Sequence, residues 1–380
     1  PAEIDIASIE LINGPSSDVF GDGAYQGSMS VLTKDPWNYS GLEARVYGGS
    51  SSSLDAQLRF AQPFGKTKNW AFSASAQFQR IDDKGGLTKY GQHSGSFNLD
   101  SILEKPGNQF TSKEMTLLTN FRNWLDQSGT GAQPGRLFPT HNGFEESEVF
   151  EPEGRKLKLG GGLHFKPNKK TEIYYSFRMS KGSMVYANEQ RFALHNLIWH
   201  QHNITAKGDN WKMEAYGSFE STGNSYSISR NAQLINSAGS EEFARRYLLD
   251  YADSLRAWTG DFNSGISDSL ISLARDSALI SARSGWFAPG TALFDSIAES
   301  GQNNKGLLNG AGLNSKSNQQ GISGNYRFDL NWLQVHLGAN FKRNDPRSEG
   351  YLFSDTVDLS FMEYGGWTNF NFKILKDRLE

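Results

Sequence analysis

The chain has no cysteine, which excludes a disulfide framework, thiolate metal sites and a cysteine nucleophile. Charged residues make up 21% of its 380 positions and apolar ones 37%, both below the usual share for a globular protein. The net charge of -3 comes with no polybasic stripe, so nucleic acid is excluded as a partner class. No run of 18 apolar residues exists, and so no helix is expected to cross a bilayer. The mean hydropathy of -0.57 does not exclude a membrane, because transmembrane strands are apolar only at every second position. The chain opens without an initiator Met or a charged-then-apolar leader, and the expectation is that any signal peptide or earlier domain has been removed or was never included. What is plentiful is glycine, at 40 residues, and aromatic side chains, at 13%. That balance favours sheet and turn over helix.

Alternation is the dominant pattern. In "GLEARVYGG", Leu42, Ala44 and Val46 share one face while Glu43, Arg45 and Tyr47 share the other, the period of a strand lying between two different environments. Leu54, Ala56, Leu58 and Phe60 then oppose Asp55, Gln57 and Arg59, and Trp70, Phe72, Ala74, Ala76 and Phe78 oppose Ser73, Ser75, Gln77 and Gln79. The pattern resumes with Leu157, Leu159, Leu163 and Phe165, with Ile173, Tyr175, Phe177 and Met179, and with Trp211, Met213, Ala215 and Phe219. A segment over 191–206 has mixed parity, and further segments fall at 320–330, 333–342 and 364–374. Ten candidate strands of about ten residues have the length that a tilted membrane strand needs.

The links alternate too. "PFGKTKN", "PNKK", "KGDN" and "NW" are short and rich in turn formers, whereas the links over 81–155, 181–190, 221–319 and 343–362 are long, with a tight "GGSSSS" as the exception. Short turns at one end and long excursions at the other characterise outer-membrane barrels, and a soluble sandwich has no reason to sort its loops this way. Two excursions carry helical spacing. "SKEMTLLTNFRNWLDQSG" offers Ser112 as a cap and Gly129 as a stop, and "SEEFARRYLLDYADSLRAW" starts at Ser240 and spaces Phe243, Tyr247, Tyr251 and Leu255 four apart. Both are expected to be local packing within large loops.

The opening stretch has a different character. "IASIELING" is expected to be a short buried strand, followed by a Gly14-Pro15 turn, a one-turn helix capped by Ser16, Ser17 or Asp18, and a second strand in "SMSVLTK". Gly14, Pro15, Ser17, Phe20, Gly21, Ala24, Gly27, Thr33, Lys34 and Pro36 stand at the places of a motif that reads approximately GPxSxxYGxxAxxGxVNxxTKxP. The stretch thus resembles the end of the plug in TonB-dependent outer-membrane receptors, departing at Phe20 in the Tyr slot, at Met29 and Ser30, and at Asn13. A looser resemblance to barrel strands of the same family covers 185–227.

The resemblance implies an all-β fold: a transmembrane antiparallel β-barrel, here about ten strands of a family-typical 22, preceded by the C-terminal part of a plug. Residues 1–36 would be plug and 37–380 the N-terminal portion of the barrel, with helical insertions in long extracellular loops. The function it implies is energy-coupled uptake of a scarce solute, a siderophore, cobalamin or an oligosaccharide, in the outer membrane of a Gram-negative bacterium. The partners would be TonB, whose contact segment lies upstream of Pro1 in the family, outer-membrane lipid, the nutrient and a surface-exposed lipoprotein. A passive porin and an adhesion or structural barrel are the alternatives.

No catalytic constellation is present, no cofactor is implied, and an enzyme is not expected. His200 and His202 share strand parity but have no acidic partner at ligand spacing, and are expected to be polar wall residues. Glu145, Glu146, Glu148, Glu151 and Glu153 form an acidic run that could hold a cation or be a solvated face. Glu43, Arg45, Asp55, Arg59, Gln77 and Gln79 would line the lumen. Phe121, Trp124, Trp258, Trp286 and Phe287 in the loops are candidates for meeting the solute.

Overall fold

The computed structural model describes residues 1–13, 27–50, 52–82, 89–90, 93–94, 97–105, 110–128, 136–137, 140–141, 143–150, 153–187, 191–262, 266–284, 289–305, 310–313, 315–348 and 359–372. After a single 3-10 turn at Glu3–Asp5, β1 (Ile6–Asn13) pairs antiparallel with β2 (Gly27–Thr33). The wall follows: β3 (Gly41–Gly48), β4 (Leu54–Phe64), β5 (Trp70–Asp82), β6 (Glu153–Phe165), β7 (Glu172–Ala187), β8 (Arg191–Lys207), β9 (Trp211–Ser221), β10 (Lys316–Asp329), β11 (Leu333–Asp345) and β12 (Phe361–Phe372). These ten strands form one antiparallel meander in chain order, with Tyr226–Ser227 pairing beside the top of β8. The wall is open, and among the described residues β3 and β12 each have one neighbour.

Cross-strand register carries the alternation from strand to strand without a slip of face. Leu42 lies opposite Phe60, Ala44 opposite Leu58, Leu58 opposite Ala76, and Phe78 opposite Leu157. On the far side of the wall Ile322 lies opposite Phe341, and Phe341 opposite Tyr364. One face of the sheet is therefore predominantly apolar and the other polar, and the burial is inverted relative to a water-soluble protein. Leu58 is 48% exposed on the outward face while Gln77, on the inner face, is fully buried and Arg59 is 2% exposed. Outward side chains of this kind are at home only against hydrocarbon, and strands in a sheet satisfy their own backbone groups there.

An aromatic band marks the short-turn end of the outward face. Trp70 stacks on Phe165 at 4.4 Å beside Phe64, Tyr326 packs on Phe328 at 4.5 Å, and Trp332 lies 6.1 Å from Phe372. Rings with one apolar and one hydrated side collect at a membrane interface. From that band, β7 and β8 run for 16 and 17 residues, more than the roughly 9–11 that cross a bilayer, so both project beyond it at the loop end.

The mixed parity of β8 has a physical cause. Gly182 pairs with Leu197 and Met184 with Leu194, so His195 and Asn196 together oppose Ser183 alone, which makes a β-bulge. Asn196 adopts a φ of 55°, and the freed backbone N–H groups of His195 and Asn196 donate to Ser225 Oγ and Ser183 Oγ. The side chains on either side of the bulge are one step out of phase, which a scan for strict alternation sees as disorder. The link at 181–190, expected to be a long loop, is instead a three-residue connection over 188–190, because the strands continue past the bulge.

The two great excursions fold together. The first holds α1 (Leu99–Leu103), α2 (Ser112–Ser128) and α3 (Glu146–Val149), and the second α4 (Ile228–Thr259), α5 (Asp268–Ser284) and α6 (Ala292–Asn303). Leu118, Phe121 and Trp124 of α2 pack with Tyr247, Tyr251 and Leu255 of α4 and with the Ala274, Ala278 and Ala282 stripe of α5. A second cluster joins Phe144, Val149 and Phe150 to Ala193 of β8, Ile228 and Ile235 of α4, and Phe294 of α6. Helical packing within the loops was expected, but two details differ. Thr111, rather than Ser112, caps α2: its Oγ1 accepts from Glu114 N and the Glu114 carboxylate accepts from Thr111 N at 2.7 Å, a capping box. Helix α4 begins at Ile228 under a Ser227 cap, well before Ser240. Its first turns read "ISRNAQLINSAGS", weak helix formers held by burial of Ile228, Ala232 and Ile235.

Two outcomes are expected. Leu58→Lys lowers the stability of the protein folded in bilayers by about 2–4 kcal/mol, read from urea unfolding in liposomes; an unchanged midpoint would mean that Leu58 does not face lipid. Thr111→Ala weakens α2 by about 0.5–2 kcal/mol, read from its amide exchange. The Thr111 N–H and hydroxyl hold the Glu114 carboxyl below the usual range, so this support is complete above the ordinary carboxylate pKa and is lost as pH falls through the lowered value.

Candidate functional site

The polar face of the wall meets the N-terminal segment in one tightly bonded junction. Arg59, on the inner side of β4, donates from Nε to Asp5 Oδ1 at 2.7 Å, from Nη1 to Tyr39 O at 2.6 Å and from Nη2 to Lys34 O at 3.4 Å. One guanidinium thus gathers the 3-10 turn, the end of β2 and the connection into β3, a use suited to its fixed fork of donors. Around it Lys34 Nζ reaches Glu43 at 2.7 Å, which also accepts from Arg45 at 2.8 Å. Asp55 accepts from Gln57, Gln77 and Gln79, and Glu3 N donates to Gln77 Oε1 at 3.1 Å. Ala2 and Ile4 are fully buried beneath this network.

The chain between hairpin and wall is just as constrained. Asp35 Oδ1 accepts from Trp37 N and Asn38 N, while Pro36 presets the turn. Trp37 then donates from Nε1 to Lys68 O and lies under Lys166 Nζ at 3.7 Å. This cation–π contact, reinforced by Lys166–Asp35 at 3.6 Å, ties the connection to the short turns. A polar cleft of about 410 Å³ separates the hairpin end from the inner face of β6–β9. In it His164 Nδ1 lies 3.0 Å from Glu172, Lys207 reaches the same carboxylate at 3.2 Å, and Asn203 donates to Glu214 at 2.6 Å. Such a cleft can hydrate and hydrogen-bond a small polar solute.

Of the motif residues, Gly14, Pro15, Ser17, Phe20, Gly21 and Ala24, with the expected one-turn helix, lie outside the described residues. Gly27 opens β2 at a φ of 147°, where a Cβ would meet Ile12 O at 2.4 Å, so only glycine fits. Thr33 closes the hairpin opposite Ile6, and Lys34 and Pro36 stand at the junction described above. The β1 strand, expected to be buried, is exposed at Ile9 and Leu11, because the hairpin stands clear of the wall beyond Asp5. Asp5 itself was not singled out in the sequence; a lone Asp in "EIDIASIE" has no spacing that would mark it.

The remaining candidates separate cleanly. Phe121 is fully buried and Trp124 is 5% exposed, so both serve the helical core and neither can meet a solute. Trp258 is exposed, and Trp286 and Phe287 lie outside the described residues. His200 and His202 are wall residues, but by register they lie on the outward face, opposite Met179 and Phe177. Within the acidic run, Glu145 and Glu148 form the capping box of α3 and Glu146 pairs with Arg191 at 2.8 Å. Glu151 and the Glu153 side chain lie outside the description, and among the described residues no group of three or more His, Asp or Glu is placed to hold a metal.

Fold and junction together define a class: the wall of an outer-membrane-type β-barrel with a hairpin bonded to its inner face. No protein-family model and no curated protein matches the chain. Among solved structures it is similar to the siderophore receptor PirA from Pseudomonas aeruginosa, at 10% identity and a TM-score of 0.45, over 97% of this chain and 43% of that one. It is similar also to the FrpB iron transporter from Neisseria meningitidis, at 9% identity and 0.47 over 97% and 43%, and to the ferric enterobactin receptor PfeA from P. aeruginosa, at 13% and 0.46 over 98% and 42%. The chain therefore spans less than half the length of these proteins.

Removing one member of the Arg59–Asp5 pair leaves the other charge uncompensated near the inner wall. Arg59→Met is expected to destabilise the junction by about 3–5 kcal/mol, and Arg59→Met with Asp5→Leu to recover much of that loss. Protease accessibility of 1–36 in detergent checks this, and equal accessibility in wild type and single variant would show that the pair does not hold the segment.

Proposed function

We propose that this chain is the plug–barrel junction and first wall strands of a TonB-dependent transporter, which takes up a scarce solute across the outer membrane of a Gram-negative bacterium. The observation that carries this reading is a lumen-side hairpin bonded through Arg59 and Lys34 to an inside-polar, outside-apolar wall. A passive pore needs the wall but has no use for an internal hairpin held by so many bonds. Residues 1–36 act as the end of the plug, which the 14–36 motif closes, and 37–380 as barrel. TonB engages the plug upstream of Pro1, the helical cap receives the nutrient, and a surface lipoprotein rests over that cap. No step of this function requires catalysis.

Deleting 1–36 from the protein is expected to abolish uptake that depends on the proton gradient while raising passive leakage of small antibiotics through the membrane. A deletion that leaves energised uptake intact sinks the plug assignment. Leakage already present in the wild type at the deletion's level favours a porin, and unchanged cell adhesion with no uptake in either form favours an adhesin.

A further inference from the structure

Beyond the junction, the inner face of β9–β12 carries two aromatic rings laid flat on the wall. The Tyr216 ring covers Gly321 on the neighbouring strand, where a Cβ would lie 2.5 Å from the ring, and Trp367 covers Gly338, where the indole would be 2.2 Å away. Each glycine lets one face of its ring rest on backbone. Both residues lie on the inner side of the wall by register and are half-exposed. Covering a glycine with an aromatic ring is a packing device in its own right, but packing alone does not dictate what surrounds the rings. Tyr216 is opposite Gly321, which is opposite Lys342, and Lys212, Asn325, Gly338 and Trp367 form the row four residues further along each strand. The two platforms are thus about 13 Å apart along the strands.

The side chains around them are hydrogen-bonding and electrically balanced. Tyr216 Oη donates to Gln319, Gln319 to Asn344 at 2.7 Å, and Asn344 to Glu363 at 2.9 Å. Each of the three cations on this stretch is paired: Lys212 with Glu214, Arg327 with Asp329 at 3.0 Å, and Lys342 with Glu363 at 2.7 Å. Ser323 and Asn340 face each other between the two rings. A surface for an anionic chelate would present surplus positive charge, and one for an apolar ligand would lack the amide chain. Flat rings with neutral hydrogen-bonding groups between them match a molecule with C–H faces and hydroxyl edges.

We infer that the inner wall of β9–β12 is a binding track for a neutral, polyhydroxylated chain, a short linear oligosaccharide, with Tyr216 and Trp367 as its two stacking platforms. This rests on the transporter reading and narrows its solute class. The spacing of the platforms spans several sugar rings, so hexasaccharides bind better than monosaccharides.

Calorimetry on the protein in detergent, with a panel of neutral hexasaccharides of glucose, mannose, xylose and galactose, tests the inference. At least one is expected to bind saturably, with affinity reduced roughly tenfold or more by Tyr216→Ala and by Trp367→Ala. Tyr216→Phe, which keeps the ring on Gly321, retains most of the affinity. If an alanine variant fails to fold, Trp367→Phe replaces it and is expected to abolish the ligand-induced indole fluorescence change while the barrel stays folded. No binding by any of the panel, or binding that both variants leave unchanged, overturns the inference. The two readings fail separately. Energised uptake of a ferric chelate with affinity indifferent to Trp367 sinks the track and spares the transporter. Hexasaccharide binding at these rings with entry independent of the proton gradient spares the track and sinks the coupling.

Discussion

The structure depends on one requirement: every backbone N–H and C=O that lies in hydrocarbon must be paired within the chain. A sheet meets it strand by strand, and a sheet offers its side chains to two opposite faces. Once the outward face is committed to lipid, polarity must collect on the inward one, and the buried Gln77 and Arg59 follow as directly as the exposed Leu58. The same requirement explains why the meander runs in chain order: each new strand can satisfy its backbone only against the one before it. The edges at β3 and β12 call for further partners for the same reason.

The hairpin uses that inward polarity. A lumen wall of amides and charges is hydrated unless something occupies it, and the N-terminal turn occupies it by supplying complements: Asp5 for Arg59, the Glu3 amide for Gln77, and Lys34 for Glu43. Attachment through directed polar contacts, with few apolar side chains committed, differs from attachment through a hydrophobic core. Buried ion pairs add little net stability but define a geometry strictly, and most of the β1 face stays uncommitted.

The wall was legible in the sequence because its two solvents differ so strongly. Nine of the ten strands fall where alternation placed them, and lumen residues such as Arg59 and Gln77 were named from parity alone. Legibility failed where the environment stops alternating. The bulge at His195 and Asn196 shifts the phase within β8, so that the strand reads as irregular and the outward position of His200 and His202 is visible only from register. The first turns of α4 were missed because burial, and not propensity, keeps them helical. Phe121 and Trp124 looked like ligand-facing aromatics because a loop gives no periodic cue to which side is covered; their burial arises from a helix more than a hundred residues away in the chain. The Asp5 side of the junction has no sequence signal, since a single carboxylate acquires meaning only from the guanidinium that folding brings to it.

Two excursions that share hydrophobic cores cannot swing separately. Helix α2 belongs to the first and helices α4 and α5 to the second, yet Phe121, Tyr251 and Ala278 are part of one apolar cluster. The second cluster fastens that body to the top of β8 through Ala193. Opening one excursion alone would expose aromatic surface to water, so the two excursions behave as one body seated on the top of β8.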